Sequence, residues 1–511
     1  TEPKRSTIKR GAMPKITIGV EGVEAELKRL NPNKASGPDN LSPRVLKECA
    51  SIIAPLLRTL YQKSLDTSAV PYDWKQATVS PVFKKGDRYQ PANYRPISLT
   101  CICSKIMEHI ITSNMKRYLE SNHLLHHRQH GFRAQRSCET QLVELTSEIS
   151  EMMDQQQEVD ACVLDFSKAF DKVNHAKLIA KCSEIGLSRQ VNSWIRQFLY
   201  DRHQSVVVDG YHSHTCPVTS GVPQGSVIGP SLFLIYINDL PNTLKSKVRL
   251  FADDTIIYNT AGEHRQLQED LVSLEKWEKR WDMEVNHSKC EHITFTRKRS
   301  MSCTTSYTLH NQVIPKVDNI KYLGVKMEKT LKWNLNTDYI RQKAASTLGF
   351  IRRNIPYNLP QLRARAYIQL MRPQLEYACT AWDAGLTKTQ TSDLENVQRR
   401  AARMVRNIPR SDWTTSTTGI IDDLCWQNLS DRRKVRRLGL FRAMHFGDVA
   451  SSTEDFIQQI PSKGQLRRHN QQYHIPHCNT KSHASSFFIS TAKLWNALSP
   501  EHPFLCAPVT D

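Results

Sequence analysis

Phe251-Ala252-Asp253-Asp254 constrains this chain more than any other stretch. It joins two β-prone apolar runs, Val248–Ala252 before and Thr255–Tyr258 after. Asp is disfavoured inside a strand and tolerated in a turn, so the pattern predicts a hairpin with two carboxylates at its tip. Taken alone, such a pair is most often a solvated or capping turn. A second acidic point upstream changes its meaning. Glu158–Leu164 is a short apolar run that ends at Asp165, and a helical pattern through Leu178, Ile179 and Ile185 follows. That order predicts strand, acidic turn, helix. Asp165 reads equally well as the N-cap of the helix. An Asp at one strand end beside an Asp pair on a neighbouring hairpin can hold two divalent cations. Mg²⁺ takes one or two carboxylates plus substrate phosphates rather than an all-protein cage. Two metals about 3.5–4 Å apart clamp the attacking and leaving oxygens of an in-line phosphoryl transfer.

Between the two acidic points lies Ser220–Pro230, dense in glycine and proline, which forces a defined loop. The apolar run Ser231–Ile237 reads as a helix after it. The loop is either structural or one whose backbone comes close to a nucleotide, an approach glycine permits.

In this order, Leu164-Asp165-Phe166-Ser167-Lys168-Ala169-Phe170-Asp171, Gly221-Val222-Pro223-Gln224-Gly225 and Phe251-Ala252-Asp253-Asp254 resemble the motifs of a reverse transcriptase. The likeness is greatest to those encoded by non-LTR (LINE-type) retrotransposons. Lys34–Asp39 is similar to that family's N-terminal extension motif. Pro81–Asp87 with Asn93–Leu99, and then Gln129–Ser137, resemble its fingers motifs. Asn286–Lys289 and Lys321–Val325 resemble its later palm motifs. The resemblance is dense from Lys34 to Val325 and looser beyond. The end, Ser486-Phe487-Phe488 with Leu494–Leu498, resembles the terminus of the CR1/Jockey-like branch.

The resemblance implies an α+β right-hand polymerase with fingers, palm and helical thumb, plus a C-terminal basic tail. Its parts fall at 1–76 (N-terminal extension), 77–325 (fingers and palm), 326–410 (thumb) and 411–511 (a basic region of uncertain fold). It implies an RNA-directed DNA polymerase in which a primer 3′-OH attacks a deoxynucleoside triphosphate. Asp165, Asp253 and Asp254 would be the catalytic ligands of two Mg²⁺ ions, with Mn²⁺ as an alternative. Phe170 would exclude a 2′-OH, although ordinary core packing explains it as well. Gln224 and Gly225 would meet the incoming nucleotide and the template. Arg133 and Arg136 would neutralise the triphosphate, since guanidinium groups bind phosphate oxygens in bidentate fashion. Lys289 would face the leaving pyrophosphate, and Tyr322, Leu323 and Gly324 would form the primer grip. A group II intron maturase-like enzyme and a catalytically inactive RNA-binding relic are the competing readings.

The partners implied are an RNA template (the element's own transcript), a DNA primer or nicked target DNA, and dNTPs. Lys and Arg number 70 against 50 Asp and Glu, a net charge of +20 that suits a polyanion. The excess is prominent at Arg399, Arg400, Arg403, Arg406 and Arg410, and in Asp431–Arg437. Thirteen scattered cysteines contain no CxxC pair. That spacing lacks a zinc knuckle and fits reduced thiols. His469, His474, His477, Cys478 and His483 gather late in the chain as a weak zinc candidate. No apolar run reaches the ~18 residues of a membrane span, so no membrane partner is expected. A ribonucleoprotein of nucleus and cytoplasm is the implied setting. Thr1 stands in place of an initiator Met, which points to a longer reading frame with an endonuclease domain encoded upstream.

Overall fold

The computed structural model describes residues 12–298, 305–409, 411, 412, 414–460, 469 and 471–506. Helices and strands interleave, and the class is α+β. No helix among the described residues is long and apolar enough to cross a membrane. The strands in chain order are β1 (Gln76–Phe83), β2 (Tyr94–Leu99), β3 (Val159–Leu164), β4 (Arg202–Val208), β5 (Tyr211–His212), β6 (Cys216–Val218) and β7 (Lys247–Phe251). They continue with β8 (Asp254–Thr260), β9 (Glu291–Phe295), β10 (Thr308–Leu309), β11 (Gln312–Val313), β12 (Asn319–Tyr322) and β13 (Val325–Glu328). Two compact units result. One takes the chain up to Phe132, Asp165–Leu244 and Val272–Asn286; the other takes Arg133–Leu164, Lys245–Leu271 and the chain from His287 on.

In the first unit the sheet order is β2-β1-β4-β5, with β6 also on β4. β1 and β2 form an antiparallel hairpin closed by the pair Phe83 and Tyr94, and β1 runs parallel to β4. Helices start where short polar side chains cap them. Asn174 accepts from the Lys177 N–H at the head of His175–Glu184, and Ser188 accepts from Val191 at the head of Arg189–Leu199. The helix expected over Ser231–Ile237 forms as Gly229–Ile237. Every residue from Ser231 to Ile237 is buried, which explains an apolar run without a polar face.

The second unit is built on the antiparallel sheet β7-β8-β3-β9. β3 is central and buried, which accounts for its continuous apolar run. Its one charged residue, Asp160, is satisfied in place. Thr294 Oγ1 donates at 2.6 Å, Tyr307 Oη at 2.7 Å, and His292 Nε2 lies at 3.2 Å. Burial alone would raise the Asp160 carboxyl; the hydrogen bonds from His292, Thr294 and Tyr307 outweigh it and hold the group below the usual carboxylate range. The helix Cys138–Asp154 opens with a reciprocal capping box between Ser137 and Thr140. The helical pattern around 338–408 is present as Asn334–Asn354, Pro360–Ala366 and Lys388–Val405. Pro373 lies in the first turn of the short helix Arg372–Glu376, where its missing N–H does no harm.

The region expected as a basic tail is folded. Its helices Leu429–His445 and Phe487–Asn496 contribute Phe441, Phe487 and Trp495 to one apolar core. The same core holds Val159, Ile256 and Ile293 of the sheet and Trp382 and Leu394 of the intervening helices. Its rings interlock, with Phe441 and Trp495 centroids 5.4 Å apart and Phe456 stacked on Phe488 at 4.1 Å. Aromatic burial of this density explains why a stretch so rich in arginine stays ordered.

Candidate active site

β7 and β8 are paired to their ends, with Phe251 opposite Asp254, so the turn consists of Ala252 and Asp253. Ala252 takes the left-handed conformation, φ +57°, at the tightest point. Asp253 is half-buried in the turn, whereas Asp254 is exposed as the first residue of β8. The neighbouring strand ends in register: Leu164, the last residue of β3, pairs with Thr255. Asp165 follows Leu164 along the chain, as Asp254 precedes Thr255. The alternative reading of Asp165 as a helix cap fails. The next helix begins at His175, and Asn174 caps it.

The donor chemistry of Asp165, Asp253 and Asp254 is oxygen alone, which suits a hard cation such as Mg²⁺ or Mn²⁺ rather than zinc. Among the described residues no group of three His, Cys, Asp or Glu makes a ready metal cage. Of the late His/Cys cluster, His474, His477 and His483 line one cavity. His469 Nε2 sits 2.9 Å from the Trp495 carbonyl, His483 Nδ1 3.4 Å from Ser150 Oγ, and Cys478 Sγ 3.5 Å from the Pro476 carbonyl.

Behind the acidic hairpin lies a group that sequence reasoning missed. Arg249 of β7 is 2% exposed. It pairs with Glu144 and, at 2.5 Å, with Glu148, both on the Cys138–Asp154 helix. Tyr258 Oη of β8 lies 3.3 Å from Arg249 Nε and also bonds Glu148. Ser451 Oγ donates to Glu144 at 2.5 Å. The only sequence signal was a charge at an inward position of an apolar strand.

Phe170 is half-buried in the first unit. Its ring stacks on Phe233 at 4.5 Å and meets the edge of Phe132 at 6.1 Å. The glycine-rich loop is braced next to it. Gln224 donates to the Asp171 carboxylate at 2.8 Å, and its carbonyl accepts from the Ser98 N–H at 2.7 Å. Gly225 has φ +114°, and a Cβ there would lie 2.6 Å from the Ser98 carbonyl oxygen. The close approach that requires glycine is thus to the chain's own β2. Val222 N–H donates to the Phe170 carbonyl at 2.8 Å, which ties the loop to the backbone at Phe170.

The remaining candidates belong to the second unit. Arg133 and Arg136 are half-buried on the segment entering the Cys138–Asp154 helix. Lys289 is exposed on a short turn before β9. Tyr322 is buried, and its hydroxyl accepts from Gln141 Nε2 at 3.0 Å, so its side chain is a core group. Leu323 and Gly324, both with positive φ, form the turn between β12 and β13, and Gly324 is exposed there.

The basic run Asp431–Arg437 divides: Arg433 and Arg437 are buried, whereas Lys434 and Arg436 are exposed. Arg433 is fully buried with Nε 2.7 Å from Asp383, and Arg437 shares that carboxylate at 3.3 Å. Arg432 pairs with Glu376, and Arg436 donates to the Glu376 carbonyl at 3.1 Å. Arg433 and Arg437 pin their helix inward. Arg403 also turns in, to the carbonyls of Pro409 and Asp412. Arg399 and Arg400 remain exposed, and Arg410 lies outside the described residues.

Residues 82–327 match the family described as Reverse transcriptase (RNA-dependent DNA polymerase). The RNA-directed DNA polymerase from mobile element jockey of Drosophila melanogaster is 28% identical over 441 residues, covering 82% of this chain and 47% of that protein. The probable RNA-directed DNA polymerase from transposon BS of the same fly is 29% identical over 415 residues, 78% of this chain and 46% of its own. That of its transposon X-element is 27% identical over 410 residues, 78% and 44%. The chain spans about half the length of these curated relatives. The motifs, the acidic hairpin and these relatives agree that residues 82–327 carry a reverse transcriptase domain, similar to those of LINE-type, Jockey-like elements.

Proposed function

We propose that this chain extends a primer 3′-OH with deoxynucleotides on an RNA template, as the polymerase of a non-LTR retrotransposon. The observation that carries the reading is the register of β3 with β8. It sets Leu164 opposite Thr255, so the residues that follow one and precede the other along the chain, Asp165 and Asp254, are both carboxylates, with Asp253 next to Asp254 in the turn. In this reading Asp165 and Asp253 hold two Mg²⁺ ions and Asp254 contributes less directly. Bound ions would lower the pKa of the attacking hydroxyl and neutralise charge on the triphosphate. Phe170, held between Phe132 and Phe233, fills the space a ribose 2′-OH would need. Gln224 presents the edge of the braced loop to the incoming nucleotide. Arg133, Arg136 and Lys289 supply positive charge to the triphosphate and the leaving pyrophosphate. The tip Leu323-Gly324 grips the primer, with Tyr322 as its anchor.

In this reading 77–325 forms fingers and palm, 326–410 the thumb, and 1–76 the N-terminal extension. A separate nuclease activity supplies the 3′-OH, and the enzyme works as a ribonucleoprotein in cytoplasm and nucleus. Primer extension on an RNA template, with and without Mg²⁺, tests the reading. Metal-dependent DNA synthesis on RNA supports it. Full-length chain that binds RNA and never extends a primer would reduce it to an RNA-binding relic.

A further inference from the structure

One carboxylate sits in the apolar interior of the first unit. Glu108, on the helix Ile102–Ser121, is 0% exposed. Ile106, Met107, Ile111 and Met115 of the same helix are buried with it. Burial pushes its carboxyl above the ordinary carboxylate range, against the pull of Arg202 and of two backbone N–H groups. A carboxylate is costly in such a place, and an apolar side chain of similar volume often gives a more stable fold. Its hydrogen-bond partners show why a carboxylate stands there. Glu108 accepts from the Val227 N–H at 2.7 Å and the Ile228 N–H at 3.3 Å, and Ser104 Oγ donates to it at 3.3 Å. Arg202 donates elsewhere, to the carbonyls of Trp74 and Phe198 at 3.3 and 3.1 Å.

Val227 and Ile228 are the exit of the glycine-rich loop and lead into the helix Gly229–Ile237. The loop is buried at Gly221 and Val222 and again at Ser226, Ile228 and Gly229. Between them Gln224 is half-buried and Gly225 exposed. Those two open residues are held from both sides by one stretch of chain. Before Gly225, the Ser98 N–H holds the Gln224 carbonyl. After it, Glu108 holds Val227 and Ile228. The turn between is closed by the Ser226 N–H on the Pro223 carbonyl at 3.1 Å and the Gly229 N–H on Ser226 Oγ at 3.0 Å. With an apolar residue at 108, the Ile228 N–H would be buried without its acceptor and the exit free to shift. A loop fixed in advance spares a ligand the ordering cost of binding it.

We propose that Glu108 is a positioning residue for nucleotide binding: it touches no substrate, and by fixing the loop exit it holds Gln224 and Gly225 in the geometry that meets an incoming deoxynucleotide. The proposal rests on the polymerase reading. Primer extension on an RNA template is measured against dNTP concentration for the unaltered chain and for Glu108→Gln. The amide has nearly the same shape and keeps one acceptor, but loses the charge that strengthens the two backbone bonds. KM for the dNTP should rise roughly tenfold, the size of one weakened charged hydrogen bond. The turnover number should stay within about twofold, the pattern of lost uniform binding. A Glu108 that merely stabilises the fold predicts the opposite split. Fewer active molecules would lower the apparent kcat and leave KM where it was. An unchanged KM overturns the proposal, whatever happens to kcat.

A second measurement needs no variant. The unaltered chain is bound to an RNA template and a primer ended in a dideoxynucleotide, and hydrogen exchange at Val227 and Ile228 is followed with and without the next dNTP. Slower exchange with the dNTP supports the coupling of the loop exit to the nucleotide. Equal exchange overturns it, and this result decides if Glu108→Gln does not fold. Failure of the unaltered chain to extend any primer, with exchange still slowed by the dNTP, would count against the polymerase reading alone. With exchange unmoved as well, both fall.

Discussion

The Tyr377 hydroxyl donates to the Leu323 carbonyl at 2.9 Å and so fixes the turn between β12 and β13. The ring lies over the same turn: a Cβ on Gly324, at φ +84°, would come within 3.1 Å of it. Burial and the neighbouring Cys138 raise the Tyr377 phenol, so it keeps the proton it donates. Tyr322 in the adjoining strand is held from the other side by Gln141. Side chains from distant parts of the second unit thus clamp one two-residue turn.

Tyr377→Phe should cost about 1 kcal/mol, one neutral hydrogen bond, with the ring still in place. Gly324→Ala should cost more, because a left-handed L-residue adds roughly 1–2 kcal/mol before any clash. Urea unfolding of both variants ranks them. A Gly324→Ala chain as stable as Tyr377→Phe would mean the turn relaxes freely.

Asp253→Asn should lower primer extension on the order of a thousandfold, because metal charge stabilisation in a transition state is worth several kcal/mol. RNA binding should hardly change, since it rests on distributed basic contacts. Extension rates and filter-binding affinities decide this together. Near-normal extension would remove Asp253 from the metal assignment.

Phe170→Ala should raise ribonucleotide incorporation roughly tenfold or more, by emptying the space that rejects a 2′-OH. Phe132→Ala serves as the control. It removes the edge contact at 6.1 Å and leaves the Phe170 ring on Phe233. Competition between rNTP and dNTP reads the difference. If both variants shift discrimination equally, Phe170 is a packing residue.

Arg249→Ala should destabilise the chain by about 3–5 kcal/mol, since it takes the cation from buried Glu144 and leaves Glu148 with Lys247 at 3.7 Å. Arg433→Ala should behave likewise, because Asp383 then keeps only Arg437. Arg399→Ala/Arg400→Ala, on an exposed helix face, should cost under about 0.5 kcal/mol. That pair should instead flatten the salt dependence of primer-template binding by up to about 0.9 per lost contact. Equal destabilisation in all three would show that exposure does not separate the two classes of arginine.

The acidic hairpin was legible because its determinants are local. Strand propensity on both sides and turn chemistry between them act within a few residues. The same holds for the buried helix after the glycine-rich loop and for the helical pattern near 338–408. Local pattern also misled. Asp165 could cap a helix by its position, but the turn that follows runs on to Asn174. The close packing of Gly225 on Ser98, far away in the chain, is a contact that no local pattern announces.

The sequence by itself determined where the carboxylates stand, since hairpin and strand ends follow from short-range pattern and turn residues. Only the tertiary structure decided which charges face water. In Arg432–Arg437 the cations occupy nearly every position of a helix, so periodicity cannot separate an inner from an outer face. Their direction was set by Glu376 and Asp383, carried on segments some fifty residues earlier. A guanidinium in an apolar core needs such a partner, and one missing a carboxylate would have turned outward to water.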